Sequence, residues 1–357
     1  MTYPLTVFQD PDTFSDAEST ISQPVTDSLA SLRSSILQHQ IENGRTYHSM
    51  SAGSKSKFNE RLEIQHNVWL LTLRGSLALC PKGNEAAKRV LDVGTGTGCW
   101  AIEYGQSMSH KPTYFANGAQ ADAFPQSEVI GVDLSPTQPT MVPVNCTFEI
   151  DDLEKDWTWA KPFDFVFSRV MAGSFEDYDA FISKAYKSVS IQTKNQELTY
   201  LSALEPGGWF EMQDIVLPYK SDDGTLHSDV ELAKLGHYFC EASRILGRPV
   251  EAPRHYKSMM QKAGFVNIVE RHFKWPLNAW AKDPYYKEIG AWSFANLDGG
   301  LEGLTLALFT RGMKWTKEET MVFCAEVRRQ LRDPKIHVYL PVIVVYGQKA
   351  ESASTDE

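Results

Sequence analysis

Asp92, Gly94, Gly96 and Gly98 stand at alternate positions of VLDVGTGTGCW (Val90–Trp100), where an apolar run breaks into glycines. Glycines at this spacing let the backbone turn sharply and approach a ligand, and a helix starting behind them aims its free N–H groups at the same place. A phosphate loop would end in Gly-Lys-Ser/Thr, whereas Gly98 is followed by Cys99 and Trp100, so that chemistry is excluded. A dinucleotide fingerprint opening on Gly94 and Gly96 needs a third glycine at position 99, where Cys99 would keep a pyrophosphate away. The spacing present is DxGxGxG, which taken alone also fits a simple tight turn.

Other side chains fall at comparable places further along. VIGVDLS ends in Asp133 and Leu134, a carboxylate that could accept from paired hydroxyls or merely cap a helix. Asp152 and Leu153 follow the run FEI, and EPGGWFEMQD (Glu205–Asp214) supplies a Pro-Gly-Gly turn leading into another apolar run. In this order the four blocks resemble the class I S-adenosylmethionine-dependent methyltransferases. The resemblance implies the cofactor S-adenosyl-L-methionine. Asp92, Gly94, Thr95, Gly96 and Gly98 would surround its amino-acid end, Asp133 with Leu134 its ribose, Asp152 with Leu153 its adenine, and Ser168 would stand at the next strand end.

A narrower likeness covers the chain from Asn43 onward. GTGTGCWAIEY, DLSPTQP, FDFVFSRVMAGS, SDDGTL, LEGLTLALFTR and DPKIHVYLPVIVVYGQK are similar to the fungal secondary-metabolism methyltransferases, a group that includes the LaeA-like regulators. ENGRTYHSM and RLEIQHN resemble that group's N-terminal helical lid, with AGSKSKF standing where the group carries an acidic, proline-containing piece. Membership implies methyl transfer to a small-molecule substrate, a specialised metabolite. The alternative implied by the same group is a nuclear regulator of secondary metabolism working in a protein complex. No catalytic residue is assigned. Arg169 reads either as a cation for an anionic substrate or as a surface ion-pair partner, His66 either as a base or as a packed residue beside Trp69, and Asp214 as a further strand-end candidate.

Such residues must be carried by a sheet. RVLDV, EVIGVDL, CTFEI, FDFVFS, GGWFEMQD, FVNIVERHF and IHVYLPVIVVYG are apolar runs separated by helical patterns. That alternation predicts an α/β fold with a doubly wound, mostly parallel seven-stranded sheet, Rossmann-like, with helical lid elements. The last run contains Pro341 and follows no crossover, so it reads as an edge strand or hairpin partner. The expected organisation is a disordered leader at 1–25, a helical lid at 26–75, a methyltransferase domain at 76–350 with a helical cap at 277–335, and a disordered tail at 351–357. In the lid, helices are expected over Thr26–Gly44 and Phe58–Leu73; in the cap, around Tyr285–Leu297, Leu301–Thr310 and Lys317–Leu331. Trp275, Trp280, Tyr285, Tyr286, Trp292 and Phe294 read mostly as core, some as pocket wall. Ser107–Gln120 and Val189–Ala203 exceed what the crossovers need and read either as surface loops or as translated introns.

With 357 residues, 42% hydrophobic and 22% charged, the chain can bury a full core. Its net charge of -10 disfavours a nucleic-acid backbone or an anionic membrane as partner. No apolar run approaches the roughly 20 residues of a bilayer span, and the start lacks a signal-peptide layout, so a cytoplasmic location is expected, or a nuclear one under the regulator reading. Five scattered cysteines and histidines without HExxH spacing suggest neither disulfides nor a metal.

Overall fold

The Val-, Ile- and Phe-rich runs are β-branched or aromatic and form strands, because such side chains pack well on a pleated surface. The computed structural model describes residues 39–42, 45–48, 55–84, 87–109, 113–114, 120–121, 127–186, 188–192 and 198–351. In chain order the strands are β1 (His39–Glu42), β2 (Arg45–His48), β3 (Arg89–Val93), β4 (Thr113–Tyr114), β5 (Gln120–Ala121), β6 (Glu128–Asp133), β7 (Cys146–Ile150) and β8 (Phe163–Arg169). They continue with β9 (Ser188–Gln192), β10 (Leu198–Ser202), β11 (Leu204–Ile215), β12 (Val266–Pro276) and β13 (Tyr339–Gln348). The α-helices are α1 (Lys55–Thr72), α2 (Pro81–Asn84), α3 (Cys99–Ser109), α4 (Tyr178–Tyr186), α5 (Glu231–Ile245), α6 (Tyr256–Ala263), α7 (Pro284–Leu308) and α8 (Lys317–Leu331).

Seven strands make one sheet in the order β12-β13-β11-β8-β3-β6-β7. β11, β8, β3, β6 and β7 run parallel, and β13 is antiparallel to both of its neighbours. The chain winds outward from β3 through β6 to β7, then returns to β3's other side as β8. A crevice therefore opens beyond the C-terminal ends of β3 and β8, the switch point at which doubly wound sheets bind ligands. Both faces are covered. Val166 joins a core with Leu91 and Phe210, while Phe165 and Phe167 point the other way into a core with Val90 and Trp100. Trp100 stacks on Phe167 with ring centroids 3.8 Å apart, which packs α3 onto the sheet behind the glycine turn.

Three expectations change. The last apolar run is an inner strand: β13 pairs with β11 from Ile215↔Val342 to Trp209↔Gln348 and with β12 on its other side. Pro341 is tolerated because it lies one residue outside the β11 ladder, where its carbonyl accepts from Val216 N–H and no donor is required of it. The helix expected over Thr26–Gly44 gives way at its end to a β1–β2 hairpin, His39 pairing with His48 and Glu42 with Arg45. The rest of that span, the leader and residues 352–357 lie outside the described residues. The two helices expected across 285–310 are one, α7, which passes through Gly299 and Gly300 without a break. Gly300 is needed there for proximity: a Cβ would stand 2.4 Å from Cδ of Arg61 on α1. The second lid helix does form, as α1, and ends near Gly75 as its sequence predicts.

Of the aromatic set, Trp275 is buried at 1% exposure and donates to Thr72 Oγ1, whereas Tyr286 and Trp292 face solvent at 42% and 38%. Within the two long stretches, β4 pairs only with β5 and β9 only with β10, apart from the seven-stranded sheet.

Candidate active site

The turn after β3 is built to bring peptide groups close together. Gly94 and Thr95 both donate their N–H to Val132 O at 2.9 Å. Gly96 has φ +56°, a left-handed conformation unfavourable for a side chain, and a Cβ there would meet Leu62 Cδ1 of α1 at 3.2 Å. Helix α1 thus lies on the turn. Gly98 serves packing, since a Cβ at its position would fall 2.4 Å from the Phe148 ring.

Asp133, at the end of β6, grips this turn directly. Its Oδ2 accepts from Gly96 N–H at 2.8 Å and its Oδ1 from Ser135 N–H at 2.9 Å. The carbonyl of the same glycine accepts from Thr137 Oγ1 (2.8 Å) and Gln138 Nε2 (2.6 Å). The run DLSPTQP therefore holds both polar groups of Gly96, a role for Thr137 and Gln138 that residue types alone did not reveal. Asp92 is 2% exposed and accepts from Thr95 Oγ1 at 2.6 Å. Burial pushes its carboxyl up to about 7, against the opposing effects of the Thr95 bond and the Arg169 charge.

A cavity of about 270 Å³ opens at the switch point. Gly94, Gly96, Asp133, Leu134, Asp152 and Leu153 line it, so six of the expected residues are brought together. A smaller adjoining cavity of about 70 Å³ is lined by Asp92, Thr95, Gly96, Cys99, His66 and Arg169. Gly98 and Ser168 line neither. Ser168 is 3% exposed within β8, and because neighbouring strand positions point to opposite faces, Arg169 takes the cavity side.

Helix α1 closes the site with residues not foreseen, Arg61, Leu62 and Gln65. Arg61 and Gln65 are one helical turn apart and 9% and 8% exposed, a buried polar stripe on a helix. That stripe, inside the block RLEIQHN, was the available signal. Burial lowers the Arg61 guanidinium to about 10. The wall opposite α1 is the segment after β8, including Met171 and Phe175. Asp214 fixes that segment from behind, accepting from Met171 N–H (2.9 Å), Tyr256 Oη (2.8 Å) and Ile215 N–H (2.8 Å). Burial pushes this carboxyl up to about 7. Asp214 shapes the wall without lining either cavity.

Arg169 is not a surface ion-pair partner. Its Nε donates to Gln213 Oε1 (2.8 Å), its Nη2 to Leu77 O (3.3 Å) and its Nη1 faces His66 Nδ1 (3.0 Å). His66, with its side chain 11% exposed, bonds Glu103 through Nε2 at 2.6 Å. Among the described residues no group of three or more His, Cys, Asp or Glu side chains is arranged to hold a metal ion, and no helix is long and apolar enough to cross a membrane.

An open sheet of this strand order, with a glycine turn at the switch point and carboxylates beyond the ends of β6 and β7, defines a class I methyltransferase. Residues 65–270 match the methyltransferase domain family, and the chain belongs to that family. It is 34% identical over 328 residues to methyltransferase pytC of Aspergillus terreus, covering 90% of this chain and 91% of that protein. It is 32% identical over 310 residues to the secondary metabolism regulator LAE1 of Cochliobolus heterostrophus, covering 84% and 91%. With protein-methionine methyltransferase laeA of Emericella nidulans it shares 28% over 313 residues, 85% and 74% of the two chains. The cofactor is S-adenosyl-L-methionine.

The site suits that molecule. Gly94 and Gly96 line the cavity without a phosphate cradle, and buried Asp92 and Arg61 would offer opposite charges to the ammonium and the carboxylate of its amino-acid end. A carboxylate has about four acceptor positions, so Asp133 can hold the turn and take hydroxyl donors together.

Proposed function

We propose that this chain methylates an oxygen, nitrogen or carbon of a small specialised metabolite, in the cytoplasm. The observation that carries the reading is the cavity at the switch point, where the motif residues are roofed by α1 and walled by the segment after β8. Such a crevice suits a small acceptor, and the net charge of -10 provides no general attraction for nucleic acid. The likeness to methyltransferase pytC over nine-tenths of both chains supports the methyl transfer in this reading.

When bound, the cofactor supplies an electrophilic methyl group on a sulfonium. The residues of the chain hold and orient. Asp133, Asp152 and Leu153 would fix the nucleoside, Asp92 and Arg61 the amino-acid end, and α1 excludes water above the turn. Alignment of reactants can supply roughly 7–11 kcal/mol of barrier lowering, and a base is needed only where the acceptor keeps its proton at neutral pH.

The test is calorimetric titration with S-adenosyl-L-methionine and, separately, NADH, followed by incubation of the protein with methyl-labelled cofactor and fungal metabolite extracts. Binding of the sulfonium alone and label in a small molecule is the expected result. Label recovered only in protein would favour the regulator reading, for which the likeness to LAE1 speaks. Absence of cofactor binding would overturn both.

A further inference from the structure

Helix α1 turns a titratable side chain toward the site as well as Arg61 and Gln65. His66 Nδ1 lies 3.0 Å from Arg169 Nη1, and its Nε2 lies 2.6 Å from Glu103 Oε2. A guanidinium can only donate. Nδ1 therefore accepts, the ring proton sits on Nε2 and is donated to Glu103, and the imidazole is neutral. In this one tautomer His66 ties α1 to two elements, to the end of β8 through Arg169 and to α3 through Glu103.

The chain of bonds runs on into the sheet. Arg169 donates to Gln213, and Gln213 Nε2 donates to Glu211 Oε1 at 2.7 Å. The Glu211 carboxylate accepts from the N–H groups of Leu79 (2.8 Å) and Cys80 (2.6 Å), in the segment that leaves α1. Gln213 also donates to Leu77 O at 3.1 Å. The roof of the cavity is thus fastened both along the helix and just after it.

We propose that His66 is a positioning residue for the cofactor: neutral, it latches α1 over the glycine turn and orients Arg169 at the smaller cavity, and protonation of its ring releases the latch. The inference rests on the cofactor reading of that turn. A proton added to Nδ1 removes the acceptor for Arg169 and leaves two cations 3.0 Å apart. His66 contacts Glu103 from α3 and Arg169 from β8; Cys99 from α3 and Asp92 from β3 line the smaller cavity with it, and Glu211 of β11 stands behind Gln213. Burial, then the charge of Arg169, lower the imidazole below its usual 6.5, while Glu103 opposes them. With the closed-state value depressed, the latch contributes fully above the unfolded value and is lost as pH falls through the closed-state value.

The experiment is the affinity of S-adenosylhomocysteine at pH 7.5 and 5.5 for the wild-type chain and H66Q. Glutamine keeps an acceptor and a donor but does not titrate. Asp92 gains its proton over the same range in both proteins, so the share of His66 is the difference in their pH ratios. Whatever the affinity of H66Q at pH 7.5, the wild type should lose more than H66Q on going to pH 5.5, by up to about tenfold, because pH 5.5 lies one unit below the ordinary imidazole value. Equal ratios overturn the proposal. Amide exchange of wild-type residues 60–72, corrected for intrinsic rates, covers a variant that fails to fold: protection should fall with pH, and unchanged protection overturns the latch. A wild type that binds nothing at pH 7.5 sinks the cofactor reading, while exchange still reports on the latch.

Discussion

Gly96 is where backbone conformation, the Asp133 carboxylate and the overlying α1 all meet. Gly96→Arg would force a side chain into a left-handed residue and against Leu62, so cofactor binding should vanish in calorimetry while the far-ultraviolet spectrum of the sheet persists. Asp133→Ala removes the acceptor for Gly96 and Ser135 N–H as well as for incoming hydroxyls. Affinity should weaken by about 1–3 kcal/mol, measured in the same titration. Asp92 makes a separate prediction. Because burial raises its carboxyl to about 7, the free protein carries it largely protonated below that pH, and an ammonium arriving beside it favours the ionised form. Binding near pH 7 should release a proton, seen as a dependence of the heat on buffer ionisation enthalpy, and Asp92→Asn should diminish that dependence to the share of His66. Without ligand the sign is opposite: the stabilising contribution of neutral Asp92 is present at low pH and lost as pH rises through about 7.

At the scale of elements, the site depends on how α1 is seated. Glu211 is 0% exposed and its oxygens are engaged by Leu79, Cys80 and Gln213, so Glu211→Ala strands buried donors in the segment that follows the helix. The expected loss is about 2–3 kcal/mol of stability in urea unfolding. From the opposite side, Gly300 admits Arg61 against α7. Gly300→Val should wedge the two helices apart, costing about 1–3 kcal/mol and weakening cofactor binding although residue 300 itself lines neither cavity. Equal affinity in this variant would show that α1 keeps its place without α7.

For the whole molecule, the question is which parts the sheet requires. The ladders of β4–β5 and β9–β10 are separate from it. A chain lacking 107–120 and 189–203 loses the end of α3, β4 with half of β5, the β9–β10 hairpin and the bond from Phe163 N–H to Ala203 O, but keeps every strand of the seven, and it should fold cooperatively and bind the cofactor with similar affinity. Loss of folding on deletion would show that these stretches are structural. Sequencing of spliced transcript decides independently whether they are translated introns.

Much of the fold was legible because strands and their terminal residues are local features. Alternating apolar runs and glycine spacing announced β3, β6, β7, β8 and β11 and the strand-end residues of the cavity. The inner place of β13 was not legible, since Pro341 signals an edge locally and only the register shows that its missing donor is not needed. Nor was the continuity of α7, where glycines that usually interrupt a helix are required by a side chain from another element. The sequence by itself determined the strand-end part of the site: a turn that favours glycine, and acids whose positions follow strand by strand. Tertiary structure alone decided the roof and the state of its charges. Arg61, Gln65, His66 and Arg169 are ordinary polar residues until α1 closes on the sheet, because burial, tautomer and hydrogen-bond partner are properties of neighbours far apart in the chain.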